Sequence, residues 1–154
     1  MIKLSKIFFA SLIFASIAAV YNPLDLNAAD DDKLIKYRKV IMEATASHIT
    51  AIASVVRKET NYTQHVNEHA LAISKLARMM PDSFKQKTNT SNNRAKLIIW
   101  DDWEGFVAAS KALEKAALKL SKANSKDADS ISVMLGEVGA TCGACHKVYR
   151  KPAR

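Results

Sequence analysis

Apolar residues recur at spacings of three, four and seven along most of the chain, the period of a helix with one buried face. From Leu34 to Arg57 the repeat runs through Ile35, Met42, Ile49, Ile52 and Val56, with no Gly or Pro to interrupt it. Asp30, Asp31 and Asp32 just before it offer capping oxygens and negative charge suited to a helix start. After Asn61-Tyr62-Thr63 a second repeat passes through Val66, Ala70, Ile73, Leu76, Ala77 and Met80. Pro81 predicts its end, or a brief continuation after a break. Residues 82–96 are polar, with Thr88-Asn89-Thr90-Ser91-Asn92-Asn93 at their centre, and predict a loop. A third repeat from Leu97 to Lys122 aligns Trp100, Trp103, Val107, Ser110, Leu113, Ala117 and Leu120 on one stripe. Asn124-Ser125-Lys126-Asp127 separates it from a fourth, carrying Ile131, Leu135, Val138, Cys142, Cys145 and Tyr149.

Four helices with mostly short connections and one longer one predict an all-α four-helix bundle. Composition agrees, since 4 Gly and 3 Pro in 154 residues cannot punctuate a many-stranded sheet. The length suits one domain that buries a core without disulfide staples.

The N-terminus follows another rule. Lys3 and Lys6 precede an uncharged apolar run from Ile7 to Val20, and small residues follow at Asn27-Ala28-Ala29. That order is a secretory signal peptide, and the run is shorter than the roughly 20 residues of a membrane span. Residues 1–29 are therefore assigned to the signal peptide and 30–154 to the bundle domain. No later segment is expected to span a bilayer. Loss of Lys3, Lys6 and Asp25 takes the formal charge from +8 to +7. A basic exported protein suits an acidic protein partner or a membrane surface. Export to the periplasm argues against nucleic acid.

Candidate chemistry concentrates at Cys142-Gly143-Ala144-Cys145-His146, which holds both cysteines of the chain. Cys-x-x-Cys-His is the haem-attachment signature. Helical spacing puts Cys142 and Cys145 on one face, in position for two thioethers to a porphyrin edge, with His146 toward the iron. A structural zinc site would need a second ligand pair, a dithiol oxidoreductase a βαβ context, and a plain disulfide leaves His146 unexplained.

The segment from Gly136 to Arg150 resembles the last helix of the cytochrome c-prime family, the class II c-type cytochromes, and Leu34-Ile35-Lys36-Tyr37-Arg38 resembles the start of its first. The resemblance implies an antiparallel bundle with one haem c held covalently against the fourth helix. It places Met42, four residues after Arg38, on the open face of the iron. It also puts Arg38 and Arg150 near the propionates and Phe84 near the haem edge. Many members carry an apolar residue at the Met42 position and have five-coordinate iron. Methionine is itself a competent axial ligand, and His/Met haems are electron carriers.

The expectation is a periplasmic electron-transfer cytochrome with His146 and Met42 as axial ligands, and not an enzyme. The alternative is a five-coordinate protein that binds NO or CO on the Met42 side. Its redox partner is expected to be acidic, steered by Lys147, Arg150, Lys151 and Arg154, and homodimers are frequent in the family. His65-Val66-Asn67-Glu68-His69 matches a zinc-hydrolase pattern, but reads better as a solvated helix surface. Met79, Met80 and Met134 read as core, and His48 as packed or hydrogen-bonded.

Overall fold

The computed structural model describes residues 23–88, 93–124 and 126–152, with side chains from Asp30 onward. Five helices are described: α1 (Pro23–Val56), α2 (Val66–Phe84), the single turn α3 (Ile98–Asp101), α4 (Trp103–Leu120) and α5 (Ala128–Tyr149). The long helices α1, α2, α4 and α5 form the antiparallel four-helix bundle. Each packs on the next in sequence, while α1 meets α5 most sparingly. That looser seam is where a site can open.

The helices follow the apolar stripes, with three departures. α1 begins before Asp30, so Asp30, Asp31 and Asp32 lie inside the helix and are not its cap. Nothing between Leu24 and Leu34 breaks a helix, and Ala28-Ala29 favour one. The expected signal peptide falls largely outside the described residues. By length and composition Asp30–Val56 could cross a membrane. Ile35, Arg38, Ile41 and Ile52 face the bundle interior, while most other positions of this stretch are at least partly exposed.

α2 continues through Pro81 to Phe84. Pro81 has no N–H to give the carbonyl of Ala77, one turn earlier. The Ser110 hydroxyl donates to that carbonyl at 2.6 Å from the facing α4. The oxygen left by proline becomes an inter-helix tie, so the helix survives.

The third repeat is broken. Asp102 leaves helical geometry at φ −119°, ψ 57°, and its side chain accepts the Gly105 N–H as the cap of α4. Its other carboxylate oxygen accepts the Tyr149 hydroxyl at 2.6 Å. α5 starts in the same way, with Asp127 accepting the Ser130 N–H.

Two apolar clusters fill the interior. The larger joins Ile52, Ile73, Ala117, Leu120, Ile131 and Val138 along the bundle axis. The smaller joins Phe84, Ile99, Phe106 and Tyr149 at one end. Met80 lies in the larger and Met134 packs against it. Met79 is exposed, and its expected place in the core is corrected: it falls between the buried positions Ala77 and Met80.

Candidate haem site

Two cavities, of about 210 and 190 Å³, open between α1 and α5. Met42, Phe106, His146 and Arg150 line both, so the two are halves of one slot. Met42 comes from α1 and His146 from α5, and the two side chains border the same space from different helices. Met42 also packs against both apolar clusters, at the junction between them.

The attachment residues flank this slot. Cys142 and Cys145 line its inner half together with Thr141 and Ala109. Cys142 packs on the larger cluster and Cys145 on the smaller one. Burial pushes both thiols up, partly offset at Cys142 by the Thr141 hydroxyl and reinforced at Cys145 by its neighbour. His146 is half-buried. Burial, then the Arg150 and Arg94 cations, hold its imidazole below the usual histidine range, which favours the neutral ring that ligates metals. A Cβ on Gly139 or Gly143 meets nothing within 4 Å, and both glycines are exposed.

A largely apolar slot with two thiols and a neutral imidazole on one helical turn fits a covalent haem. Cys142 and Cys145 would hold it and His146 would reach the iron.

Arg38 is 4% exposed, and its environment is more specific than a propionate partner requires. Its Nε donates to the Ser83 carbonyl at 2.7 Å, one terminal nitrogen to the Gln86 carbonyl at 2.6 Å, and the other to Thr88 Oγ1 at 2.6 Å. The guanidinium lies 4.6 Å from the Phe84 ring centre. Asn93 in turn donates to Thr88. Arg38 thus anchors both described ends of the segment that follows α2, while still lining the slot. Burial lowers its pKa, partly countered by Asp31; an arginine stays charged regardless. Arg150 is exposed at the end of α5 and lines both halves.

Phe84 stands beside Arg38 on the outer half, with its carbonyl accepting the Trp100 indole N–H at 2.7 Å. Asn93, Arg94 and Tyr149 also line the slot. Sequence reading singled out none of the three for this role, because Asn93 and Arg94 sit in an aperiodic polar stretch and Tyr149 reads as stripe.

The His65-Glu68-His69 pattern forms no metal centre: among the described residues no group of three or more His, Cys, Asp or Glu is arranged to hold an ion. His69 instead faces His48 across α1 and α2, with the two Nδ1 atoms 2.8 Å apart.

Comparison with known proteins bears on the same slot. The family model described as Cytochrome C' matches residues 33–150. A cytochrome c' from Rhodospirillum rubrum is 33% identical over 141 residues, covering 90% of this chain and 96% of that one. The nitric oxide complex of a leucine-to-alanine variant of cytochrome c prime from Alcaligenes xylosoxidans superimposes with a TM-score of 0.70. It is 28% identical and covers 80% of this chain and 97% of that chain. A ferrous arginine-to-lysine variant of the same protein with bound NO gives 0.70 at 27% identity, with coverage of 80% and 97%.

Proposed function

Because the chain belongs to the cytochrome c' family, carrying one covalent haem c, we propose that it binds a diatomic gas, NO or CO, on the Met42 side of the iron. The bound haem supplies an iron that changes redox state and accepts a small ligand. Cys142 and Cys145 would anchor it, His146 would bind its iron, and Arg38 and Arg150, which line the slot, would pair with its propionates. Phe106 and Met42 give the slot apolar walls beside His146. The reading places the chain in the periplasm, as a binding and electron-exchanging protein without substrate turnover.

The single observation that carries it is the slot between Met42 and His146, in a fold shared with a relative solved with NO bound. In that relative the varied leucine and the varied arginine lie as far apart in sequence as Met42 and Arg150 do here. That equal spacing supports Met42 as the counterpart of the leucine and Arg150 as that of the arginine.

One observation favours a second reading. Methionine in place of leucine brings a thioether to this face, and His/Met ligation would make the protein a low-spin electron carrier. A visible spectrum of the haem-loaded protein, before and after CO, separates the two. The first reading expects a high-spin ferrous spectrum and rapid one-to-one CO binding. A low-spin ferrous spectrum, a methionine-to-iron charge-transfer band in the ferric form, and no CO binding would establish the second. That band would then vanish in Met42→Leu while haem is retained.

A further inference from the structure

At the mouth of the slot, residues 94–96 lie beside the end of α5 through a short antiparallel bridge between Ala95 and Arg150. Lys96 N–H donates to the Tyr149 carbonyl at 2.9 Å, and Lys151 N–H to the Arg94 carbonyl at 2.7 Å. This backbone pairing gathers Arg94, Lys96, Lys147, Arg150 and Lys151 into one cluster. The side-chain bonds described for it go to backbone oxygens: Arg94 to Lys151, Lys96 to Lys147 and Lys151 to Asn93, at 3.0–3.1 Å. Among the described residues, the ion pairs all lie elsewhere in the molecule. Like charges gathered with no ion pair described among them raise a positive potential at this mouth, and Glu43 lines the slot beside Arg94 and Arg150. The same two segments expose Leu97, Ile98 and Val148. Arg94 and Arg150 join the cluster directly to the slot wall.

We propose that this surface docks an acidic protein that passes one electron to the haem. The proposal rests on the haem reading above and names the partner of that site. Arg150, which lines the slot, would be shared with a propionate, and Arg94, Lys96, Lys147 and Lys151 remain to face the partner's carboxylates. The exposed apolar residues supply the small desolvated contact of a transient complex, and the cations supply orientation and on-rate. In the exchange the partner is oxidised by one electron and ferric iron becomes ferrous. The backbone ties hold the cluster in place before the partner arrives, which suits a rigid protein face better than a fluid lipid surface.

Stopped-flow reduction of the haem-loaded protein by a reduced, acidic [2Fe–2S] ferredoxin tests this. The variant Lys96→Glu/Lys147→Glu/Lys151→Glu is compared with a control of equal charge change, Lys111→Glu/Lys115→Glu/Lys122→Glu. At about 0.01 M salt the patch variant is expected to react about tenfold or more slowly than the control. The gap should close by about 0.3 M, where screening is short-ranged. Lys147→Ala/Lys151→Ala, which removes charge without reversing it, should fall between, and unchanged visible spectra report an intact fold. Equal rates in patch and control variants would overturn the proposal. It would also fall if the patch variant kept its rate but lost binding to phosphatidylglycerol vesicles, since the surface would then be membrane-facing. A chain that purifies colourless from cells with working haem-attachment machinery would overturn the haem reading itself, and this proposal with it.

Discussion

Arg38 shows how far one buried side chain can be committed before any cofactor is considered. Three of its nitrogens are spent on Ser83, Gln86 and Thr88, which lie 45 to 50 positions away in sequence. Hydrogen bonds from a charged donor are stronger than neutral ones, and losing them strands the acceptors. Arg38→Met keeps the length and apolar stem of the side chain and removes only the guanidinium. It should lower unfolding stability by about 2–4 kcal/mol in a urea titration. Thr88→Ala, which removes one acceptor, should cost about 1 kcal/mol. A purely propionate-facing arginine would show almost no loss in the haem-free chain, so measuring both forms separates the two roles. The resemblance of the first helix to the family marked Arg38 as a site residue, but its tether to the chain beyond α2 is a long-range contact without any local signature. The attachment pentapeptide is the opposite case: its chemistry is contained in five consecutive positions.

At the scale of elements, the junction of α4 with α5 hangs on Gly105. A Cβ there would collide with the Asp102 carboxylate and lie 2.6 Å from the Tyr149 hydroxyl. Gly→Ala inside an ordinary exposed helix stabilises by up to about 1 kcal/mol. Here the sign should reverse, with Gly105→Ala costing about 1–3 kcal/mol as the cap and the tyrosine bond are pushed apart. Thermal melts of Gly105→Ala and Asp102→Ala should therefore both shift down. Tyr149 adds a pH signature. Burial first, then its bond to Asp102, raises its hydroxyl to about 12. The folded value lies above the unfolded value of about 10, so this stability is fully present below pH 10 and is lost as pH rises toward 12. Stability of the parent should fall over that window by more than that of Tyr149→Phe. The apolar stripe runs unbroken across Asp102, from Trp100 to Leu113. Periodicity alone favours one long helix, and only the tyrosine arriving from α5 makes the break worthwhile. Pro81 misled in the other direction, because the partner for the orphaned Ala77 carbonyl comes from a serine on a different helix.

For the whole molecule, the bundle was legible because each of its long helices carries its own apolar stripe for the others to pack against. What the stripes leave open is the seam between α1 and α5, where apolar residues line space instead of touching. The outer half alone, about 210 Å³, is open to solvent and leaves apolar side chains uncovered that a bound group would bury. The group that fills the slot should then be a structural component as much as a functional one. Cys142→Ala/Cys145→Ala removes both covalent anchors while leaving His146 and both clusters in place. When made with working attachment machinery, that chain should lose its covalent pigment. Its unfolding midpoint should drop well beyond the effect of two thiol-to-methyl changes at half-buried positions, which is typically about 1 kcal/mol each. Circular dichroism should still report helix, because α2 and α4 pack closely without the seam. The loss should instead concentrate in α1 and α5, read as faster amide exchange along Ile35–Ile49 and Val138–Tyr149 than along α2 and α4. Uniform exchange across all four helices would mean that the bundle closes on itself, and that the slot is filled by collapse when nothing is bound there.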